Sequence, residues 1–157
     1  IVVLLGDHGW ALGEHTFWGK HTLFDRATHV PLIVKVPGME TGKTESMVSF
    51  VDLYPTLCDL CGLPQPEGQL QGKSFVPVLK DRKAKIQDEV FIQWQGGDNL
   101  VNNRYSYTEW VKKEKTSRML FDHQDDKDEN HNIAGQSRFQ SLMDGFSAII
   151  KNIKASL

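Results

Sequence analysis

Ile1-Val2-Val3-Leu4-Leu5-Gly6-Asp7-His8-Gly9 opens the sequence, and this stretch decides how the rest is read. Five apolar residues in a row, three of them β-branched, predict a strand covered on both faces, as in the parallel sheet of an α/β protein. The run stops at Gly6-Asp7-His8-Gly9. In open α/β sheets ligands bind just beyond the carboxyl ends of the strands, so polar residues there are candidates for a site. The run is too short for a signal-peptide core and lacks a basic leader. With Ile1 in place of an initiator Met, we expect an N-terminal portion to precede it.

The pattern continues outward from that strand. Residues 10–29 read as a long polar and aromatic loop. Val30 to Val36 predicts a second strand, ended by a turn at Pro37-Gly38. Asp52 is placed as the N-cap of a helix over Leu53–Cys61, with Pro55 in its first turn and Gly62 and Pro64 beyond its end. Residues 64–88, rich in Gly, Pro, Gln and Lys, read as a surface connection with a short apolar patch from Phe75 to Leu79. Val90–Trp94, Leu100–Val111 and Ser117–Phe121 predict strands of a small antiparallel sheet, with turn-like Gly96-Gly97-Asp98 and Asn102-Asn103. Residues 122–132 form a polar connector. Phe139, Leu142, Met143, Phe146, Ile149, Ile150 and Ile153 follow the spacing of an amphipathic C-terminal helix. The expected fold class is α/β: the end of a large sheet domain over 1–88, then a small α+β subdomain over 89–157.

Composition excludes several classes. The 157 residues carry 18 Lys+Arg against 20 Asp+Glu, a net charge of −2, which argues against a nucleic-acid binder working by phosphate neutralisation. No apolar run approaches the roughly 18–20 residues of a membrane span. Two cysteines cannot staple a fold of this size. Cys58-x-x-Cys61 lacks the second ligand pair that zinc requires, and it sits near a helix C-terminus rather than the N-terminus that would lower a thiol pKa. Both cysteines are read as small buried apolar residues. Asp126-x-Asp128-x-Asn130 begins like an EF-hand loop, but His131 and Ser137 stand where Gly and Glu are required.

Four of the six histidines, His8, His15, His21 and His29, fall in the first 29 residues, among Asp7, Glu14, Lys20, Asp25 and Arg26. Trp10, Phe17 and Trp18 are interleaved with them. Such a mixture suits an anionic ligand, with or without a metal, because carboxylate and imidazole both ligate divalent cations. One Asp-His pair cannot complete a coordination sphere. On spacing alone Asp7-His8-Gly9 also reads as an ordinary turn, Lys20 as a solvated lysine and His29 as a structural histidine. The functional reading rests on the clustering.

Several segments carry a family resemblance. Gly6 to His15, Trp18-Gly19-Lys20, Phe24-Asp25 and Ala27 to Ile33 together resemble the second signature region of the type I sulfatases, in the alkaline phosphatase-like superfamily, and are most similar to the iduronate-2-sulfatase branch. Val51 to Leu57 and Gly62-Leu63-Pro64 resemble that family's "VDLxPTL…GLP" helix. Gly72-Lys73-Ser74-Phe75 resembles its "G-x-S" stretch. Leu120-Phe121-Asp122, Asp126, Glu129 and Asn132-Ile133-Ala134 resemble its C-terminal "LYDLxxDPxExxNLA". The resemblance implies the C-terminal part of a sulfuric-ester hydrolase acting on a sulfated sugar such as a glycosaminoglycan. Asp7 and His8 would be metal ligands, for calcium in most members, with magnesium, manganese or zinc also compatible. Lys20 would contact the sulfate, and Trp10, His15 and Trp18 would line the sugar pocket. The family's nucleophile, a formylglycine made in a "C/S-x-P/A-x-R" motif, and its paired Asp-Asp ligands are absent here and expected in the missing N-terminal portion. The chain alone is therefore expected to be inactive. The alternatives are a phosphonate or phosphate ester hydrolase of the same superfamily and a non-catalytic glycan-binding fragment. By analogy the compartment would be periplasmic, secreted or lysosomal.

Overall fold

The computed structural model describes residues 1–157 apart from Glu67 and Glu114. In chain order the elements are β1 (Val2–Leu5), β2 (Ala11–Leu12), β3 (Trp18–Gly19), α1 (Asp25–Thr28), β4 (Leu32–Lys35), α2 (Leu53–Cys61), α3 (Val76–Lys80), β5 (Val90–Trp94), β6 (Gly97–Val101), β7 (Tyr105–Lys112), β8 (Lys115–Asp122) and α4 (Gln140–Ala155). Contacts group them into two units, Ile1–Lys35 with Phe91–Ser156, and Val36–Val90 with Leu157. The sequence reading divides the chain once, at 88/89, whereas these units change over after Lys35 and after Val90. The crossing after Lys35 has no counterpart in the sequence reading. Among the described residues no helix is long and apolar enough to cross a membrane.

In the first unit β1 pairs antiparallel with β4, Val2 opposite Lys35 and Leu5 opposite Leu32. The expectation of a strand covered on both faces does not hold within this chain: Val2 is 61% and Leu4 64% exposed. A parallel neighbour needs a crossover, usually a helix. The segment between β1 and β4 holds two-residue strands, a 3-10 turn at Glu14–Thr16 and the single-turn α1, none long enough for such a crossover, so the chain doubles back. Residues 10–29, read as one loop, contain the β2–β3 hairpin, with Ala11 opposite Gly19 and Leu12 opposite Trp18.

The four-stranded sheet runs in the order β5-β6-β7-β8, each strand beside its sequence neighbour. Gly97 and Asp98 belong to β6 rather than to a turn. Four successive residues of β7, Ser106 to Glu109, are buried. Successive strand residues face opposite sides, so this sheet is covered on both. On one face Leu100, Tyr107 and Leu120 pack with Met143, Phe146 and Ile150 of α4. The Tyr107 and Phe146 rings stack at 5.6 Å. The Tyr107 hydroxyl donates to Glu109 Oε2 at 2.7 Å. The opposite face meets the segment that carries β2, β3 and α1: the Phe24 ring lies 5.8 Å from that of Phe121. There Asn99 Nδ2 donates to Thr108 Oγ1 at 2.9 Å and to Ser106 Oγ at 3.2 Å, tying β6 to β7 in the dry interior.

The connector after β8 is polar, as its composition predicts, yet it holds a buried acid. Glu129 is 2% exposed. Its Oε1 pairs with His123 Nε2 at 2.9 Å and its Oε2 accepts the Asp25 backbone N–H at 2.8 Å. The bond to Glu129 raises the His123 pKa, and burial opposes it more weakly. At the same end of β7, Arg104 grips Asp122 through Nε and Nη2, the shortest contact being 2.8 Å. That pairing holds the Asp122 carboxyl below its usual range.

In the second unit α2 spans the residues its pattern predicts. Gly62 ends it at φ 64, with the Leu63 N–H donating to the Cys58 carbonyl at 2.9 Å. That geometry is a glycine-terminated helix end. The Asp52 side chain does not cap α2 as expected. It turns back to accept the Ser49 N–H at 2.7 Å, the Lys73 N–H at 2.8 Å and Gln87 Nε2 at 3.1 Å. These bonds satisfy a carboxylate that is 1% exposed. The apolar patch read inside a surface connection is α3, in which Val78 is buried, as is Phe75 just before it. Phe75 N–H donates to Thr56 Oγ1 at 2.9 Å. Cys58 is buried as expected, whereas Cys61, in the last turn before Gly62, is exposed.

Two outcomes follow from this packing. Leu120→Ala empties a fully buried position on β8 facing α4, and chemical denaturation should show a loss of about 2–5 kcal/mol. The His123–Glu129 pair should make stability pH-dependent. Because the folded pKa of His123 is raised, the contribution is fully present below the unfolded value of about 6.5 and lost as pH rises through the folded value. Denaturation midpoints from pH 5 to 9 should fall across that window, and His123→Gln should flatten the fall.

Candidate functional site

The β2–β3 hairpin brings Lys20 back to His8. His8 lies three residues before β2 and Lys20 one residue after β3, so the pairing of Ala11 with Gly19 sets the two side by side. Lys20 Nζ lies 2.6 Å from His8 Nε2. His8 Nδ1 lies 2.8 Å from the Gly9 carbonyl oxygen. A carbonyl only accepts, so Nδ1 carries the proton and the Nε2 lone pair of the neutral ring is presented to the Lys20 ammonium. Asp7 stands on the same turn. Its Oδ1 accepts the His8 N–H at 3.1 Å and its Oδ2 is 3.4 Å from His8 Nε2.

The turn is held from below by α1. Gly9 N–H donates to the Ala27 carbonyl at 2.8 Å. A Cβ at Gly9 would lie 2.0 Å from the Arg26 carbonyl oxygen, so only glycine fits there. Two backbones meet at this point, and neither can give way as a flexible side chain could.

The expected site residues are thus partly gathered. Asp7, His8 and Lys20 form one group. Trp10 is near it, its ring centroid 6.1 Å from that of His8, and half-exposed. Trp18 is 72% exposed. His15 stands apart: its ring stacks on Phe24 at 3.9 Å, and its backbone lies in the left-handed region at φ 55. It lines a polar cleft of about 250 Å³ with Glu14, Asp25, Arg26, Lys127 and Asp128 among its walls. Within that cleft charges are paired internally, Arg26 with Asp128 at 3.1 Å and with Glu14 at 3.5 Å. The Glu14 carboxyl is held below its ordinary range by the backbone amides of Glu14 and Leu12. His21 stacks against Trp94 at 5.3 Å and His29 sits 3.3 Å from Asp25. The four clustered histidines therefore serve three neighbourhoods: His8 beside Lys20, His21 on Trp94, and His15 with His29 along the polar cleft.

The donor set for a cation is incomplete in this chain. Asp7 is largely exposed and His8 Nε2 is already engaged by Lys20. Among the described residues no three His, Cys, Asp or Glu side chains converge on one point. A calcium ion takes six to eight oxygen ligands, so these residues alone do not make its site. Lys20 supplies the one cation and the N–H donors of this group beside an exposed turn, the means to meet an anionic ligand. The cysteines lie elsewhere, both on α2 in the other unit.

Sequence reasoning missed His123 and the burial of Glu129. Glu129 stands in the quoted "LYDLxxDPxExxNLA" match, but nothing local marks it as buried, since its partners are six and 104 positions away.

Residues 13–156 match the family described as N-sulphoglucosamine sulphohydrolase, C-terminal. Over nearly its whole length, 99%, the chain is 29% identical to a sulfatase of Formosa agariphila, of which it covers 30%. It is 40% identical over 92 residues to human iduronate 2-sulfatase, a match covering 42% of this chain and 17% of that protein. A solved structure of a 2-O GAG sulfatase superimposes with a TM-score of 0.82 at 26% identity, covering 98% of this chain and 36% of that one. The chain thus spans about a third of the length of the relatives that it matches end to end. With the strand-end turn, the "VDLxPTL" helix and the sheet-plus-helix subdomain all in family order, the chain belongs to the sulfatases of the alkaline phosphatase-like fold, within their C-terminal part.

Proposed function

We propose that this chain is the C-terminal part of a sulfuric-ester hydrolase that removes sulfate from a sulfated sugar, a glycosaminoglycan being the fitting class. The observation that carries the reading is the Lys20–His8 contact beside Asp7, on the turn after β1, in a member of the sulfatase family. Relatives named for iduronate and 2-O GAG sulfate esters support the sugar.

In this reading the chain's own residues bind and neutralise. Lys20 keeps N–H donors beyond the one aimed at His8 and gives them to the sulfate oxygens. Charge develops on the ester as its S–O bond breaks, and a fixed ammonium in a partly dry site stabilises it. The Gly9 carbonyl keeps His8 in one tautomer, so Nε2 does not compete as a donor. Asp7 and, once Lys20 turns from it to the sulfate, His8 Nε2 would supply two ligands to a divalent cation, calcium being the expected one, with the others coming from outside these 157 residues. When bound, such a cation adds positive charge beside the sulfate and orients it. Trp10 and Trp18 offer exposed ring faces of the kind that pack on sugars. His15 belongs to the neighbouring cleft and would meet only an extended substrate. The nucleophile, expected as a formylglycine, is not among these 157 residues, and the compartment that fits this reading is periplasmic, secreted or lysosomal.

Turnover assays check this. The full-length protein should hydrolyse an aryl sulfate or a sulfated disaccharide, and the 157-residue chain should not. Lys20→Ala should lower kcat on the order of 10²- to 10³-fold, the loss seen when one charge-stabilising donor is removed. A preference for the matching phosphate or phosphonate ester would move the assignment to that class. Binding of a sulfated disaccharide by the 157-residue chain, with no turnover by the full-length protein, would make it a glycan-binding module.

A further inference from the structure

Glu129 is a buried acid that the sulfate chemistry leaves unused. It is 2% exposed and its backbone lies at φ 55, a conformation that non-glycine residues rarely adopt. A buried carboxylate and a strained backbone both oppose folding, and such features persist where the surroundings hold them for a purpose. What they achieve here is a placement. Glu129 Oε2 accepts the N–H of Asp25, the first residue of α1, at 2.8 Å. Its other oxygen is fixed by His123 at 2.9 Å. The first N–H groups of a helix have no partner inside it, so this bond anchors α1 to the connector after β8.

From α1 the constraint passes to the site through backbone alone. The Ala27 carbonyl accepts the Gly9 N–H at 2.8 Å, and the Arg26 carbonyl presses on Gly9 from the same side. The Gly9 carbonyl in turn accepts His8 Nδ1–H, and His8 Nε2 meets Lys20. Each link is a hydrogen bond or a backbone contact with no flexible side chain between α1 and Gly9.

We propose that Glu129 is a positioning residue for the site: by fixing the first amide of α1 it sets the α1 backbone against Gly9, and so orients the His8 imidazole toward Lys20. The inference rests on the sulfatase reading of Asp7, His8 and Lys20. Glu129 does not touch substrate in this account; it acts through α1.

The test uses the full-length protein and two independent readouts, amide hydrogen exchange at Gly9 and steady-state kinetics on a sulfate ester. Glu129→Ala should speed Gly9 exchange about tenfold while β7 and α4 amides keep their protection. It should lower kcat by about tenfold or more, since small misplacements of reacting groups are costly, with KM little changed. Glu129→Gln keeps one acceptor oxygen and should recover part of both. Unchanged Gly9 exchange and kcat in Glu129→Ala would overturn the proposal. So would a uniform loss of protection across β7, α4 and Gly9, which marks a merely structural acid. If Glu129→Ala does not fold, Glu129→Gln decides by the same comparison of Gly9 with β7. If the wild-type protein turns over no sulfate ester, the functional reading fails, while Gly9 exchange and the His8 tautomer by nitrogen-15 NMR still report on the positioning claim.

Discussion

The close approach of Gly9 to the backbone of α1 is the constraint on which the site depends. A hydrogen at the α-carbon fits there and a methyl group does not. Because the contact is backbone on backbone, the turn carrying Asp7 and His8 cannot shift unless the helix does. The Gly9 carbonyl then fixes the imidazole, and the two-residue ladder of β2 with β3 returns Lys20 to it. A catalytic or binding group held this way needs little reorganisation when an anion arrives, which is the physical basis of electrostatic preorganisation.

The four-stranded sheet is the platform for that arrangement. Its burial on both faces explains why Asn99, Ser106, Thr108 and Glu109 sit in the interior: one face serves α4 and the other serves the segment carrying the site. Polar side chains on the second face bond to one another, Asn99 Nδ2 to Ser106 and Thr108, so the platform is specific as well as apolar. The connector after β8 completes it from a distance in sequence, by lending Glu129 to α1.

Much of this architecture is legible in the amino acids. The period of α4, the limits of α2 with Pro55 in its first turn and Gly62 beyond its end, the strand of β4 before Pro37-Gly38, and β5 to β8 as an antiparallel set follow from hydrophobic spacing and turn chemistry. The departures have physical causes. β1 reads as doubly covered because five apolar residues in a row describe composition, not neighbours, and its pairing with β4 is antiparallel. Asp52 reads as an N-cap from its position, yet its carboxylate finds better-placed donors at Ser49, Lys73 and Gln87. Val76–Lys80 is too short for its period to announce a helix. The histidine-rich loop looks like one site and is several, because β2, β3 and α1 turn its side chains in different directions.

The sequence by itself determined the family order of motifs, the pairing of Asp7 with His8, and the candidacy of Lys20, because these rest on residue type at short spacing. Only the tertiary structure decided that Lys20 reaches His8, that His15 belongs to a different cleft, and that Glu129 is buried against Asp25. Those facts depend on contacts between segments up to 104 positions apart, where chain direction, hairpin register and the burial of a sheet on both faces set the distances. No local pattern of residues encodes that geometry.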